Sequence, residues 1–245
     1  MDRPLVAILS GAGISTDSGI PDYRGPNGLW RRDPEAEKLV TYEYYMGDPE
    51  IRRRSWQMRR KNRTLEVKPN AAHLAVAELS RSGIPVRVLT QNVDGLHQLA
   101  GLPARKVLEL HGTARSVVCT RCHARGPMED ALARVEAGEE DPACLECGGI
   151  LKSATVMFGE RLDPEVLGQA LAISKACTVF IAVGSSLQVQ PAAGLAGVAA
   201  DNGARLIIVN AEPTPYDGLA QEVVREPIGT ALPALLDRLV AEYQA

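Results

Sequence analysis

Four of the five cysteines in this 245-residue chain fall in two Cys-x-x-Cys pairs, Cys119 with Cys122 and Cys144 with Cys147. Each pair can form a thiolate knuckle, and two knuckles close a tetrahedral zinc site with no open position for water. A metal held that way supports structure. The other chemistry open to such pairs, redox exchange, has no thioredoxin-like setting here. His123 adjoins Cys122, but four thiolates already saturate the site. The intervening Gly138-Glu139-Glu140-Asp141 is acidic, so this ribbon is not expected to contact nucleic acid. Cys177, in an apolar run, is expected to be a small buried core residue.

A second constellation is polar. Leu5–Leu9 leads into Ser10-Gly11-Ala12-Gly13-Ile14-Ser15, a strand followed by a turn whose backbone N–H groups can approach a pyrophosphate. The third glycine of the dinucleotide fingerprint is absent, with Thr16 in its place, but Ser18-Gly19-Ile20-Pro21-Asp22-Tyr23-Arg24 follows. Arg24 there offers a fixed cationic fork for phosphate oxygens. Thr90-Gln91-Asn92-Val93-Asp94-Gly95-Leu96-His97 follows a buried strand, so its polar groups should emerge at the strand's carboxyl end. That edge is where open α/β sheets bind ligands. The next strand delivers His111-Gly112 to the same edge, which makes His111 the candidate general base. His73 and His97 sit in apolar helical patterns and read as hydrogen-bonded structural residues.

These groups need a scaffold. Apolar runs at Leu5–Leu9, Val86–Thr90, Lys106–Leu110, Thr178–Val183 and Arg205–Val209 read as strands. Between several of them lie helices: one capped by Asn70 and running to about Ser82, and one opened by Asp163, Pro164 and Glu165. Another is expected from Pro191 to near Gly203, and a last one from a Thr230 cap to about Glu242. Strands alternating with helices predict an α/β fold, a Rossmann-like doubly wound parallel sheet. Residues 31–69 and 113–154 interrupt the rhythm and are expected to form a small zinc-binding and helical lobe. Residues 1–30, 70–112 and 155–245 would form the nucleotide-binding domain. The basic run Arg52, Arg53, Arg54, Arg59, Arg60, Lys61 and Arg63 is read first as a solvated helix face, and otherwise as an anion patch or a substrate selector.

Composition agrees. Hydrophobic residues make up 45% of the chain and aromatics only 4%, which suits an aliphatic sheet buried on both faces. A net charge of −3 disfavours general attraction to nucleic acid or membrane. The apolar run after Met1-Asp2-Arg3-Pro4 is too short for a signal peptide, and no run approaches the ~20 residues of a transmembrane helix. The expected compartment is the cytoplasm.

Taken in order, Gly11-Ala-Gly-Ile-Ser15, Gly19-Ile-Pro-Asp-Tyr-Arg24, Thr90-Gln-Asn-Val-Asp94, His111-Gly112, the two Cys-x-x-Cys pairs, Phe158-Gly-Glu160, Gly184-Ser-Ser-Leu187 and Val209-Asn210 resemble the sirtuins, NAD-dependent protein-lysine deacylases. The resemblance spans about residues 5 to 240. It implies that Gly11, Ala12, Gly13 and Arg24 approach the pyrophosphate and nicotinamide ribose, while Tyr23 covers the nicotinamide. Gln91 would bind ribose hydroxyls, Asn92 order the ribose or a water, and Asp94 hold the carboxamide. Gly184, Ser185 and Ser186 would contact phosphate; Asn210, Glu212 and Ile228 would face the adenosine. Val156, Phe158, Gly159, Glu160, Gln188 and Val189 would clamp an acylated-lysine peptide as an added strand. NAD would be a co-substrate: nicotinamide leaves and the acyl group ends on ADP-ribose, with one structural zinc per chain.

Two departures bear on selectivity. Thr113 replaces the usual serine after His-Gly. Trp56 and Arg59 align with the tyrosine and arginine that read acidic acyl groups in some members, so both are taken as candidate substrate contacts. The Ile51–Trp56 stretch resembles a branch with weak deacetylation and reported ADP-ribosyl activity, which makes a mono-ADP-ribosyltransferase the alternative function. An ordinary dehydrogenase is disfavoured because no acidic residue ending a second strand is evident about 20 positions after the glycine loop. A non-catalytic zinc-ribbon protein is the remaining class, disfavoured by the acidic balance.

Overall fold

The computed structural model describes residues 4–22, 34–61 and 66–244. In chain order the elements are β1 (Val6–Ser10), α1 (Tyr42–Gly47), α2 (Pro49–Lys61), α3 (Ala71–Arg81), β2 (Val86–Thr90), α4 (Leu96–Leu99), β3 (Val107–Glu109), β4 (Gly112–Cys119), β5 (Arg125–Pro127), α5 (Met128–Glu136), β6 (Leu151–Thr155), α6 (Pro164–Ala176), β7 (Val179–Val183), α7 (Gly194–Asp201), β8 (Arg205–Val209), β9 (Glu222–Val224) and α8 (Ile228–Gln244). Short 3-10 segments cover Ala12–Ser18 and Pro34–Val40.

Six strands form one sheet in the order β3-β2-β1-β7-β8-β9, and every adjacent pair is parallel. Side chains alternate across a strand, so each strand feeds two cores. Val6 and Ile8 pack with Val76 and Leu79 of α3 and Leu232, Leu235 and Leu239 of α8. Ala7 and Leu9 pack on the other side with Ala170 of α6 and Leu195, Ala196 and Ala199 of α7. Helices therefore cover both faces, the doubly wound arrangement. The order in which the strands follow one another reverses between β1 and β7, and at the carboxyl ends of such a switch point open α/β sheets bind ligands.

The expected caps hold for two helices. The Asn70 side chain accepts from the N–H groups of Ala72 at 3.0 Å and His73 at 3.4 Å. Asp163 accepts from Glu165 N–H at 2.8 Å, with Pro164 in the first turn. Two starts differ from expectation. Helix α7 begins at Gly194 because Pro191–Ala193 form a turn before it. Helix α8 begins at Ile228, and Thr230 is a first-turn residue whose hydroxyl donates to Pro227 O at 3.0 Å. Among the described residues no helix is long and apolar enough to cross a membrane.

A second, antiparallel sheet of order β5-β4-β6 carries the cysteines. Its core joins Val117, Cys119, Cys144 and Leu151 to Met128, Ala131 and Val135 of α5, and to Trp56 of α2. The solvated-face reading of the basic run is corrected at Arg52. Its side chain is 11% exposed, and the guanidinium donates to Asp141 Oδ2 at 2.7 Å and also reaches the carbonyls of Tyr45 and Met46. It turns inward because α2 lies against the cysteine-bearing sheet, where a planar fork can meet a carboxylate and two carbonyls at once. Arg53 stays on the surface, paired with Glu50, and Arg63 lies outside the described residues.

Candidate active site and zinc centre

The parallel register is level at its carboxyl edge: Ser10 pairs with Thr90 and Val183, Thr90 with Glu109, and Val183 with Val209. Every segment that continues from those ends therefore leaves the sheet at the same carboxyl edge. These are Gly11–Ser15, Gln91–Asp94, His111, Gly184–Ser186 and Asn210. Tyr23 and Arg24 lie outside the described residues.

The glycines do more than expose backbone to a phosphate. Gly11 N–H donates to Val183 O at 2.9 Å, and Gly13 N–H to Gly184 O at 2.8 Å. A Cβ on Gly11 would stand 2.6 Å from Gly184 O. Gly184 has φ +62°, and a Cβ there would stand 2.4 Å from Ile14 N. The two loops touch backbone to backbone, and a side chain at either point would separate them. Ala12 is half-buried beside them. Ser185 is buried, and its hydroxyl oxygen accepts from Gln91 Nε2 at 2.9 Å and Leu187 N–H at 3.2 Å. Ser186 is half-buried.

Asp94 is 6% exposed and both its carboxylate oxygens are engaged. Ser15 Oγ donates to Oδ2 at 2.8 Å and Leu96 N–H to Oδ1 at 2.9 Å. Asn92 Nδ2 donates inward, to Gly11 O at 3.0 Å and Ser15 Oγ at 3.1 Å. Ser15 thus joins the glycine loop to the Asn92–Asp94 segment. His73 Nε2 lies 3.5 Å from the same hydroxyl, and the His73 and His97 rings meet edge to face with centroids 5.1 Å apart. His97 Nε2 bonds Ser10 Oγ at 2.9 Å. Ser15 stands inside the glycine-rich motif, but its part in the network depends on contacts 79 residues apart, which no local pattern announces.

His111 Nδ1 lies 2.9 Å from Gln91 O. A carbonyl only accepts, so Nδ1 carries the proton and Nε2 keeps its lone pair. Burial lowers the pKa of this ring against the smaller raising effect of that hydrogen bond. The ring is neutral near pH 7, with one nitrogen ready to take a proton.

The segment after β6 starts from the same histidine, with Val156 N–H donating to His111 O at 2.8 Å. Phe158 N–H bonds Val40 O and Tyr42 N–H bonds Phe158 O, both at 2.9 Å. Met157 N–H is taken by Glu160 Oε2 at 2.7 Å. Glu160 is therefore turned into its own loop rather than outward toward a peptide. In the loop after β7, Gln188 is exposed and Val189 half-buried. On the far side, Arg225 Nη1 donates to Asn210 O at 2.7 Å and Glu212 O at 2.8 Å, and Asn210 Nδ2 also reaches Glu212 O. Ile228 follows as the first residue of α8. Arg225 had no motif to mark it, yet it closes this loop.

Trp56 corrects an expectation. It is 0% exposed and packed in the core of the zinc-bearing sheet, so it offers no wall to an acyl channel. The indole belongs there because α2 presents it, together with Arg52, toward that sheet. Arg59 Nη1 donates back along α2 to Ser55 O at 3.1 Å and also to the Ser55 hydroxyl.

The four paired cysteines converge. Cys119 and Cys147 Sγ are 3.5 Å apart, Cys122 and Cys144 Sγ 3.6 Å, and all four lie within 4.8 Å of one another. A tetrahedral zinc with Zn–S bonds of about 2.3 Å requires S···S edges of about 3.8 Å, so the donor set fits that ion.

A family model described as the Sir2 family matches residues 11–191. The chain is 80% identical over 234 residues to NAD-dependent protein deacetylase 2 of Streptomyces coelicolor, spanning 96% of this chain and 97% of that protein. It is 41% identical over 236 residues to the NAD-dependent protein deacetylase of Thermodesulfovibrio yellowstonii, spanning 96% and 90%. Among solved structures, a complex of Sir2, p53 peptide and NAD+ superposes with a TM-score of 0.84 at 33% identity, covering 98% of this chain and 94% of that one. A Sir2 complex with deacetylated p53 peptide and 3'-O-acetyl ADP ribose gives 0.86 at 34% identity with the same coverage.

Proposed function

The chain belongs to the Sir2 family, and from that membership we propose that it removes acyl groups from protein lysine side chains while consuming NAD, giving nicotinamide and O-acyl-ADP-ribose. The observation that carries this is His111. Its proton is fixed on Nδ1 by Gln91 O, its pKa is lowered by burial, and it leaves the sheet at the same carboxyl edge as the Gln91–Asp94 segment. NAD, when bound, supplies the ribose carbon that nicotinamide leaves and the hydroxyls that finally receive the acyl group. Once the acyl-lysine oxygen has displaced nicotinamide at that carbon, His111 Nε2 takes the proton of such a hydroxyl, whose oxygen attacks the acyl carbon; the acyl C–N bond breaks to release the free lysine amine, and a water completes the ester.

The other residues bind and orient. Asp94, with both oxygens anchored, directs its remaining lone pairs at the nicotinamide carboxamide, in a site whose fixed dipoles favour cleavage of the glycosidic bond. Gly11, Ala12, Gly13, Gly184, Ser185 and Ser186 line the phosphates, with Tyr23 and Arg24 as proposed contacts. Gln91 serves the ribose, and Asn210, Glu212 and Ile228 the adenosine. The acyl-lysine peptide adds as a strand between the 156–160 and 188–189 segments. All three backbone N–H groups of 156–158 are already paired internally, so we assign the main-chain bonds to Val156 O, Gly159 and the Gln188–Val189 side. One zinc per chain, held by the four cysteines, fixes the small sheet.

We divide the chain into a nucleotide-binding domain of 1–30, 70–112 and 155–245 and a small lobe of 31–69 and 113–154, and we place the enzyme in the cytoplasm, where zinc thiolates stay reduced. With Trp56 in the core and Arg59 bonded to its own helix, acetyl-lysine is the expected substrate rather than an acidic acyl-lysine. The ADP-ribosyltransferase alternative is not favoured, since the relatives above are named deacetylases. The test is one peptide carrying acetyl-, propionyl- or succinyl-lysine, incubated with NAD and followed by mass spectrometry. Acyl-ADP-ribose appearing one for one with nicotinamide supports the reading; ADP-ribosylated protein without deacylated peptide sinks it.

A further inference from the structure

We propose that Lys152 is a positioning residue for the peptide substrate, acting through Glu160 on the loop that receives the added strand. This rests on the deacylase reading of that loop.

Lysine is rarely buried without partners. Lys152, in β6, is 8% exposed at its side chain, and all three ammonium donors have somewhere to go. Nζ donates to Thr155 O at 2.7 Å and Ser153 O at 3.2 Å, and pairs with Glu160 Oε2 at 3.0 Å. The same oxygen accepts Met157 N–H at 2.7 Å. The carbonyls need a partner because the β4–β6 ladder is irregular here. Gly112 pairs with Thr155 and Val117 with Ser153, so four residues of β4 face a single residue of β6.

The ammonium thus binds the end of β6 on one side and the far end of the 156–160 loop on the other. The peptide-facing residues lie between, and the loop's first N–H is anchored on His111 O. Removing the charge would untie Glu160 from the end of β6, leaving the segment held through Val156 N–H and its own Met157–Glu160 bonds, and would leave the nucleotide-binding edge of the sheet untouched. A buried ion pair is weak support for stability but a strong fix on geometry, and here the geometry is that of the binding loop.

The experiment compares steady-state kinetics of wild type, Lys152→Met, Lys152→Arg and the double variant Lys152→Met/Glu160→Gln on an acetyl-lysine peptide. In Lys152→Met the peptide KM rises about tenfold, a loss of roughly 1.4 kcal/mol, while kcat and the KM for NAD hold. Lys152→Arg keeps the cation and recovers most of the peptide KM. The double variant leaves no unpaired buried charge, so it decides the matter if Lys152→Met does not fold, and its peptide KM rises as well. A folded double variant with the wild-type peptide KM overturns the proposal, as does a rise in the KM for NAD equal to that for peptide. Wild-type protein that deacylates no peptide would instead overturn the functional reading on which this stands.

Discussion

A histidine that must accept a proton near neutrality has to be uncharged beforehand, and burial arranges this at His111 while Gln91 O chooses the tautomer. Replacing it by alanine is expected to lower deacylation by about 10²–10⁴-fold while ADP-ribose binding, measured by calorimetry, survives. Because its pKa is lowered, the acid limb of kcat/KM should fall below the ordinary histidine value of about 6.5. A limb at or above that value would place a different group in the role. Arg59 poses the opposite case, a charge aligned with the acid-reading arginine of some members that the fold engages on its own helix. Bonded to Ser55, it is expected to discriminate little. Arg59→Met should therefore alter kcat/KM for acetyl- and succinyl-lysine peptides alike, and a selective loss on the succinyl form would restore it as a selector.

At the scale of elements, α2 carries the largest difference between reading and structure. Its Trp56 and Arg52 serve the zinc-bearing sheet rather than a ligand: the indole fills the core between Val117, Met128 and Leu151, and the guanidinium clamps Asp141. Trp56→Ala should therefore behave as a core truncation, costing about 3–5 kcal/mol in denaturant unfolding. A loss under about 1 kcal/mol would mean the side chain is not packed as described. Between β1 and β7 the glycine contacts act in the same structural sense, since Gly11 and Gly184 let two binding loops meet backbone to backbone before any ligand arrives.

Two features extend to the whole molecule. The small core is built partly from Cys119 and Cys144 themselves, so metal and fold are one equilibrium there. Cys144→Ser is expected to lose the single equivalent of zinc and lower the melting temperature, and wild-type protein carrying well under one equivalent would contradict the assignment. The second feature is pH. Burial lowers the pKa of His97 to about 3, against about 6.5 in an unfolded chain. Above about 6.5 neither state binds this proton and the group contributes nothing. As pH falls from there toward about 3, the unfolded chain takes a proton that the folded one refuses, so stability declines. The urea midpoint should drop between pH 7 and pH 5 and drop less in His97→Gln; equal slopes would remove His97 as the cause.

Local physics in the sequence determined the alternating strands and helices, the caps at Asn70 and Asp163, the arrival of Gln91–Asp94 and His111 at one carboxyl edge, and the metal-binding cysteine pairs. Each rests on neighbours within a few residues: a two-residue alternation, a side chain reaching its own helix, a thiolate knuckle. The Asp94 network, the Arg225 closure, the Lys152 hub and the burial of Trp56 depend instead on partners from distant segments. Ser15 meets Asp94 across 79 residues, and Arg52 meets Asp141 across 89. A basic residue on a helix looks the same in sequence whether it faces water or a second sheet. Only the packing of α2 against the small sheet decided that Arg52 turns inward and that Trp56 belongs to the core.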